Sequence, residues 1–268
     1  MRLKLVIAYD GAGFQGWQIQ AKEQAPPTIQ GAIEGALERL GARGARLHGA
    51  GRTDSGVSAL GQTAHLDLPD SPSFLERDWR KCLNALLPAS VRILSAELAP
   101  PDFHARKSAL AKTYIYDYWT EPAFTPPELA GRAWACGRLD AGAMLACGKR
   151  LLGEHDFSSF QNAGTPVESA IRKIFAIDLA ELPPCGFYPP HAPWLRLSVS
   201  ANGFLKQMAR NIAGLLRDVG RGRIAPEAVD GILAARRRTA LAAPTAPACG
   251  LRLARVYYAK EEAPFEIS

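Results

Sequence analysis

The run Gly51–Leu68, GRTDSGVSALGQTAHLDL, sets turn residues against a strand. Its first six residues, with Asp54 followed by Ser55 and Gly56, carry the chemistry of a tight loop. Ala45–Ala50 before it and Gln62–Leu68 within it are short and strand-like, so the loop joins two strands and opens no helix. Outward toward the N-terminus, Leu3, Leu5, Ile7 and Tyr9 recur with a period of two and predict a half-buried strand over residues 2–9. A loop rich in Gly, Gln and Pro follows. From Thr28, the spacing Ile29, Ile33, Ala36, Leu37, Leu40 predicts a helix between Pro27 and Gly41. Outward toward the C-terminus, the pattern predicts a helix Phe74–Leu87 stopped at Pro88, then a strand Val91–Leu98.

The second half repeats the rhythm. Strands are predicted at Lys112–Trp119, Ile171–Glu181, Trp194–Ala201 and Leu251–Ala259, and helices at Asp140–Leu152, Phe204–Val219 and Pro226–Arg237. Strand and helix do not alternate strictly, which favours mostly antiparallel sheets with helices on one face over a doubly wound parallel sheet. The expectation is an α+β fold of two similar lobes, residues 1–107 and 108–268, with an active-site cleft between them.

The 268 residues are 47% apolar, enough to bury a core. The chain opens MRLKLVIAYD and meets Asp10 and Gly11 before a signal-peptide core could form. No later apolar run approaches the roughly 20 residues of a membrane span. The expectation is a soluble, unprocessed protein with no membrane partner. Cys82, Cys136, Cys147, Cys185 and Cys249 form an odd set without C-x-x-C spacing, which predicts reduced thiols and a cytoplasmic location. His48, His65, His155 and His191 have no metal-ligand spacing and read as structural or surface groups. A net charge of +6 and a pI near 9.2 lean on arginine, whose planar fork suits phosphate, so nucleic acid is the leading partner.

Gly11, Gly13 and Gly16 in GAGFQG follow a predicted strand with the spacing of a dinucleotide fingerprint. That reading requires a helix N-terminus for the pyrophosphate, yet Trp17–Pro27 has two prolines and no helical period. A glycine-rich turn is expected instead, a flexible loop whose Phe14 and Trp17 could touch nucleic acid.

By residue type alone, Asp54 is compatible with an ordinary turn. The wider segment is similar to the signature of the tRNA pseudouridine synthase A family, in which the aspartate of G-R-T-D is catalytic. Further blocks occur in family order: FQGWQ at Phe14–Gln18, TIQGAIE at Thr28–Glu34, LNALLP at Leu83–Pro88, PDFHAR at Pro101–Arg106, KTYIY at Lys112–Tyr116, EHDFSSF at Glu154–Phe160 and FLKQMARNIAG at Phe204–Gly214. The chain departs from the pattern at Ser55 and Ser58, where alanine and histidine are usual, and at Lys206 and Gln207 before M-x-R. QNAG at Gln161–Gly164 also departs slightly.

The resemblance implies a homodimer that isomerises uridines in the anticodon stem-loop of tRNA, at about positions 38 to 40, by turning the nucleotide out of its stack. The reaction breaks N1–C1′, turns the uracil and joins C5 to C1′. No external atom or electron enters, so no cofactor is expected. Asp54 could attack C1′, add to C6 or remove a sugar proton, each of which needs an ionised carboxylate. Arg210 is the candidate cation beside it. A helical wheel puts Phe204, Met208, Ile212 and Leu215 on one face, with Lys206, Arg210 and Arg217 opposite, as a basic stripe free to face a cleft. The resemblance selects Tyr114 from the alternating Tyr114, Tyr116 and Tyr118 as the ring that stacks on uracil. Arg52 and Arg106 head the candidates for RNA contact; His104, Lys107, Arg172, Lys173 and Arg236–Arg238 follow. An RNA-binding protein without activity would carry the same basic surface, and the intact Asp54 argues against it. A synthase acting on ribosomal RNA stays open.

Overall fold

The computed structural model describes residues 1–20, 26–162, 164, 167–182 and 194–267. Cys185 and His191 lie outside the described residues, as does Ala163 of the QNAG stretch. The fold is α+β, and the chain divides into two compact units. The first is Met1–Leu110 with Arg252–Ala259; the second is Ala111–Leu251 with Lys260–Ser268.

In the first unit, β1 (Arg2–Tyr9) alternates as its sequence does, with Leu3, Leu5, Ile7 and Tyr9 turned inward. It lies between β3 (Ser58–Asp67) and β4 (Val91–Ala99), antiparallel to both. A two-residue β2 (His48–Gly49) pairs with β3 where a strand from Ala45 was expected. A Cβ on Gly49 would lie 2.7 Å from the Trp17 ring, so this strand serves mainly as the seat of an indole. β10 (Leu251–Tyr257) comes back from the far end of the chain to pair parallel with β3, Arg252 opposite Ser58 and Leu253 opposite Ala59.

The helix α1 (Ile29–Arg39) is the predicted one. The Thr28 hydroxyl accepts from the Gly31 amide, and Ile29, Ile33, Ala36 and Leu37 are buried. The single helix expected over Phe74–Leu87 is two pieces, α2 (Pro72–Leu75) and α3 (Trp79–Leu86). Asp78 breaks it, because its carboxylate accepts from the Lys81 amide at 2.9 Å and so starts a new helix. Arg77 then bonds the Leu40 carbonyl at 2.5 Å and covers the rings of Phe74 and Trp79.

The second unit is built on an antiparallel sheet in the order β5 (Ala111–Trp119), β9 (Trp194–Ala201), β8 (Ile171–Leu182), β7 (Gly153–Asp156), with β6 (Trp134–Ala135) parallel to β5. Asp117 and Arg196 are register partners on β5 and β9. Arg196 grips the fully buried carboxylate with two bonds of 2.8 and 3.0 Å. Helix α4 (Ala141–Lys149) packs on β8 and on α5 (Met208–Gly220); α6 (Ala228–Ala235) follows. Helix α5 starts at Met208, four residues later than predicted, because Gln207 takes φ 60 and turns the chain into it. The basic stripe expected on α5 is not a solvated face. Arg217 is buried, its guanidinium 4.3 Å from the Trp134 ring centroid and ion-paired with the buried Asp218 at 2.9 Å. Among the described residues, no helix is long and apolar enough to cross a membrane. Cys82, Cys136, Cys147 and Cys249 are free thiols, and burial pushes those of Cys136 and Cys147 up to about 12.

Candidate active site

The loop between β2 and β3 is fixed from three directions. Thr53 is buried and its hydroxyl shares a 2.9 Å hydrogen bond with that of Tyr9, at the end of β1. Burial pushes the Tyr9 phenol well above its ordinary pKa, so it works there as a neutral hydrogen-bonding group. Gln62, on β3, donates to the Gly51 carbonyl at 2.9 Å. The third direction is the glycine-rich loop. Trp17 N–H donates to the Thr53 carbonyl at 3.1 Å, and the Ser55 hydroxyl donates to the Phe14 carbonyl at 3.3 Å. Ser58 accepts from the Gly11 amide at 3.0 Å. The two serines that depart from the family pattern therefore tie these loops together.

Two of the three glycines, Gly11 and Gly16, have a physical explanation. A Cβ on Gly11 would fall 2.2 Å from the Val57 carbonyl oxygen, and one on Gly16 would fall 2.6 Å from that of Thr53. Backbone is pressed on backbone, and only glycine permits the approach. Phe14 and Trp17, at 9% and 3% exposure, are core side chains and present no aromatic surface to nucleic acid. Among the described residues after Gly16, the first helix begins at Ile29, so no helix opens directly on the glycine turn as the dinucleotide reading requires.

Within this mount, Val57 N–H closes a turn on the Asp54 carbonyl at 3.1 Å, and Gly56 takes φ 77. Only a residue without Cβ adopts that third turn position without strain. Asp54 is half-buried, while Arg52 and Ser55 on either side are exposed. The loop Pro101–Ser108, which carries the exposed Arg106, is mounted on the same strand β3. His65 Nδ1 accepts from the Ala105 amide at 3.2 Å, and His104 Nδ1 accepts from Arg106 and Lys107 at 3.1 and 3.2 Å. Arg2 donates to the carbonyls of Pro101 and Phe103, and Tyr258 to that of Ala105. Both imidazoles must be neutral at Nδ1 to accept. Burial is the largest cause lowering both pKa values, that of His65 to about 4; the charges of His104, Arg2 and His48 add to it at His65, and those of Lys107, His48 and Arg2 at His104.

Tyr114 and Arg210 lie in the second unit. Tyr114 is buried on β5, edge-on to Phe204 with ring centroids 4.9 Å apart. The hydroxyls of Tyr116 and Tyr118 bond the Pro247 and Ala213 carbonyls, so those two rings serve the core. Arg210 is half-buried in the first turn of α5, and its Nε donates to the Ala246 carbonyl at 2.7 Å. Arg238 was expected among the phosphate contacts. It bonds internally instead, to Asn162, Leu241 and Thr245. Sequence reasoning missed Tyr9, His65 and Thr245 as supports of these loops, because each bonds a segment far away in the chain.

The GRTD loop is thus packed against a glycine-bearing neighbour on a mostly antiparallel α+β scaffold. A family model described as tRNA pseudouridine synthase matches residues 148–259. A tRNA pseudouridine synthase A of Oleidesulfovibrio alaskensis is 45% identical over 278 residues, covering 99% of this chain and 99% of the relative. That of Maridesulfovibrio salexigens is 46% identical, covering 96% and 90%, and that of Bacillus pumilus 39% identical, covering 96% and 99%. The chain belongs to the tRNA pseudouridine synthase A family.

Proposed function

We propose that this member of the family isomerises uridines of the tRNA anticodon stem-loop, at about positions 38 to 40, after turning each nucleotide out of its stack. Asp54 is the reacting carboxylate. The observation that carries this reading is the fixation of its loop by β1, β3 and the glycine-rich segment, with Asp54 half-buried beside the buried Thr53 and the exposed Ser55. A reacting group held in place before substrate arrives lowers the barrier through orientation. In the reaction N1–C1′ breaks, the detached uracil turns within the site, C5 bonds to C1′, the C5 proton leaves to solvent, and N1 takes up a proton. Atoms and electrons balance without a cofactor.

Arg210 supplies the cation that keeps the carboxylate ionised as water is excluded. Tyr114 stacks on the turned uracil and assists proton transfer. Arg52 and Arg106, exposed on loops mounted on β3, contact phosphate. The protein works in the cytoplasm as a homodimer, and light scattering at twice the chain mass of 28.9 kDa tests the second point.

Release of tritium from C5-labelled uridine in tRNA tests the assignment of Asp54. Asp54→Asn is expected to lower release roughly a thousandfold or more while tRNA binding persists. Release at the wild-type rate would remove Asp54 from the chemistry. Tyr114→Phe is expected to bind tRNA normally and turn over about ten- to a hundredfold more slowly. Turnover within twofold of wild type would move proton transfer elsewhere.

A further inference from the structure

One turn into α5, the chain is bound by a segment from much later in the sequence. Arg210 Nε donates to the Ala246 carbonyl at 2.7 Å, and the Ala246 amide donates back to the Arg210 carbonyl at 3.1 Å. The strap Pro244–Pro247 thus lies on the helix and orients the Arg210 guanidinium. It comes so close that a Cβ on Gly214 would be 1.9 Å from the Pro244 carbonyl oxygen.

The strap has no regular secondary structure, so side chains must fix it. Thr245 is the node. Its hydroxyl donates to Asn211 Oδ1 at 2.7 Å and meets Asn162 Nδ2 and an Arg238 Nη at 3.4 Å each. Asn211 is fully buried and passes its amide to the Phe160 carbonyl and to Asn162. Arg238 closes the ring with bonds to Asn162 Oδ1 at 2.9 Å and to the Leu241 carbonyl at 2.7 Å. Tyr116 holds the far end through the Pro247 carbonyl. A cationic side chain in such a network directs its donors inward, which is a poor arrangement for gripping a phosphate.

We infer that Thr245 and Arg238 are positioning residues for the reaction, acting through the strap that aims Arg210. The inference rests on the reading of Arg210 given above. Its signature is loss in the chemical step with tRNA affinity intact, because a displacement of about 1 Å in a reacting constellation can cost on the order of a hundredfold.

The test is single-turnover kinetics on the full chain with tRNA, with binding measured at several salt concentrations. Thr245→Val keeps the shape and removes the hydroxyl; Thr245→Ser restores it. Thr245→Val and Arg238→Gln are expected to slow chemistry about ten- to a hundredfold with unchanged Kd, and Thr245→Ser to stay within about threefold of wild type. If Thr245 and Arg238 act through Arg210, then combining either change with Arg210→Ala slows the enzyme no further than Arg210→Ala alone. Multiplying losses would signify general damage and overturn the inference. So would wild-type chemistry in Thr245→Val, or an Arg238→Gln protein whose binding weakens and whose salt slope falls by about one, as a phosphate contact would. Should Thr245→Val not fold, the Arg238→Gln cycle decides alone. Wild-type chemistry in Arg210→Ala would instead sink the reading of Arg210.

Discussion

A methyl group on Gly16 would have to sit 2.6 Å from the Thr53 carbonyl oxygen and 3.0 Å from the Asp54 carbonyl carbon, at a φ of 85. Gly16→Ala must therefore push the Asp54 loop aside. We expect a loss of about 1–3 kcal/mol in stability and a fall in turnover larger than any change in tRNA affinity. Gly13 has open space around it, so Gly13→Ala is the control and should behave as wild type. Urea unfolding and tritium release read both. His65 gives a second prediction at this scale. Folded, it titrates at about 4; an unfolded histidine titrates near 6.5. Between those values the unfolded chain binds a proton that the folded chain refuses, so stability rises with pH through the window and is lost on acidification. The loss is on the order of 3 kcal/mol by pH 4. His65→Asn, which keeps an acceptor for Ala105 and removes the titration, should flatten the dependence of the urea midpoint between pH 7 and pH 4. The GRTD motif made Asp54 legible in the sequence. The duties of Ser55, Ser58 and His65 were not legible, since each partner lies some forty residues away.

The elements themselves were largely readable. β1, α1 and β9 follow their periods of two and of 3.6, and the amphipathic pattern was enough to place them. The failures have local causes. Asp78 caps a helix where apolar spacing alone predicted continuity, and α5 is buried almost all round, so the wheel's polar face had no solvent to meet. Arg217 is charged by type and core by position, a distinction that needs Trp134 and Asp218 in view. The pairing of β5 with β9 yields a prediction of its own. Asp117→Ala would strand Arg196, whose guanidinium burial already disfavours, and should cost about 3–5 kcal/mol in denaturant unfolding. A loss below about 1 kcal/mol would mean that solvent reaches the pair.

For the molecule as a whole, the α+β class was legible because strand and helix patterns fail to alternate. The company each strand keeps was not, because periodicity identifies a strand without naming its neighbour. β10 is the case in point: it belongs with the first unit, beside Ser58 and Ala59, and its Leu253 is fully buried there. A fragment of residues 1–110 therefore lacks a core strand. It should melt without a cooperative transition in circular dichroism, and a sharp melt near that of the intact chain would contradict this. The same return has a consequence during synthesis. Asp54 leaves the ribosome early, but the strand that flanks its loop is made long afterwards. A growing chain accordingly carries the Asp54 loop on an unfinished support until translation has run almost to the end of β10. Order of manufacture thus makes the completion of this mount one of the last events of synthesis.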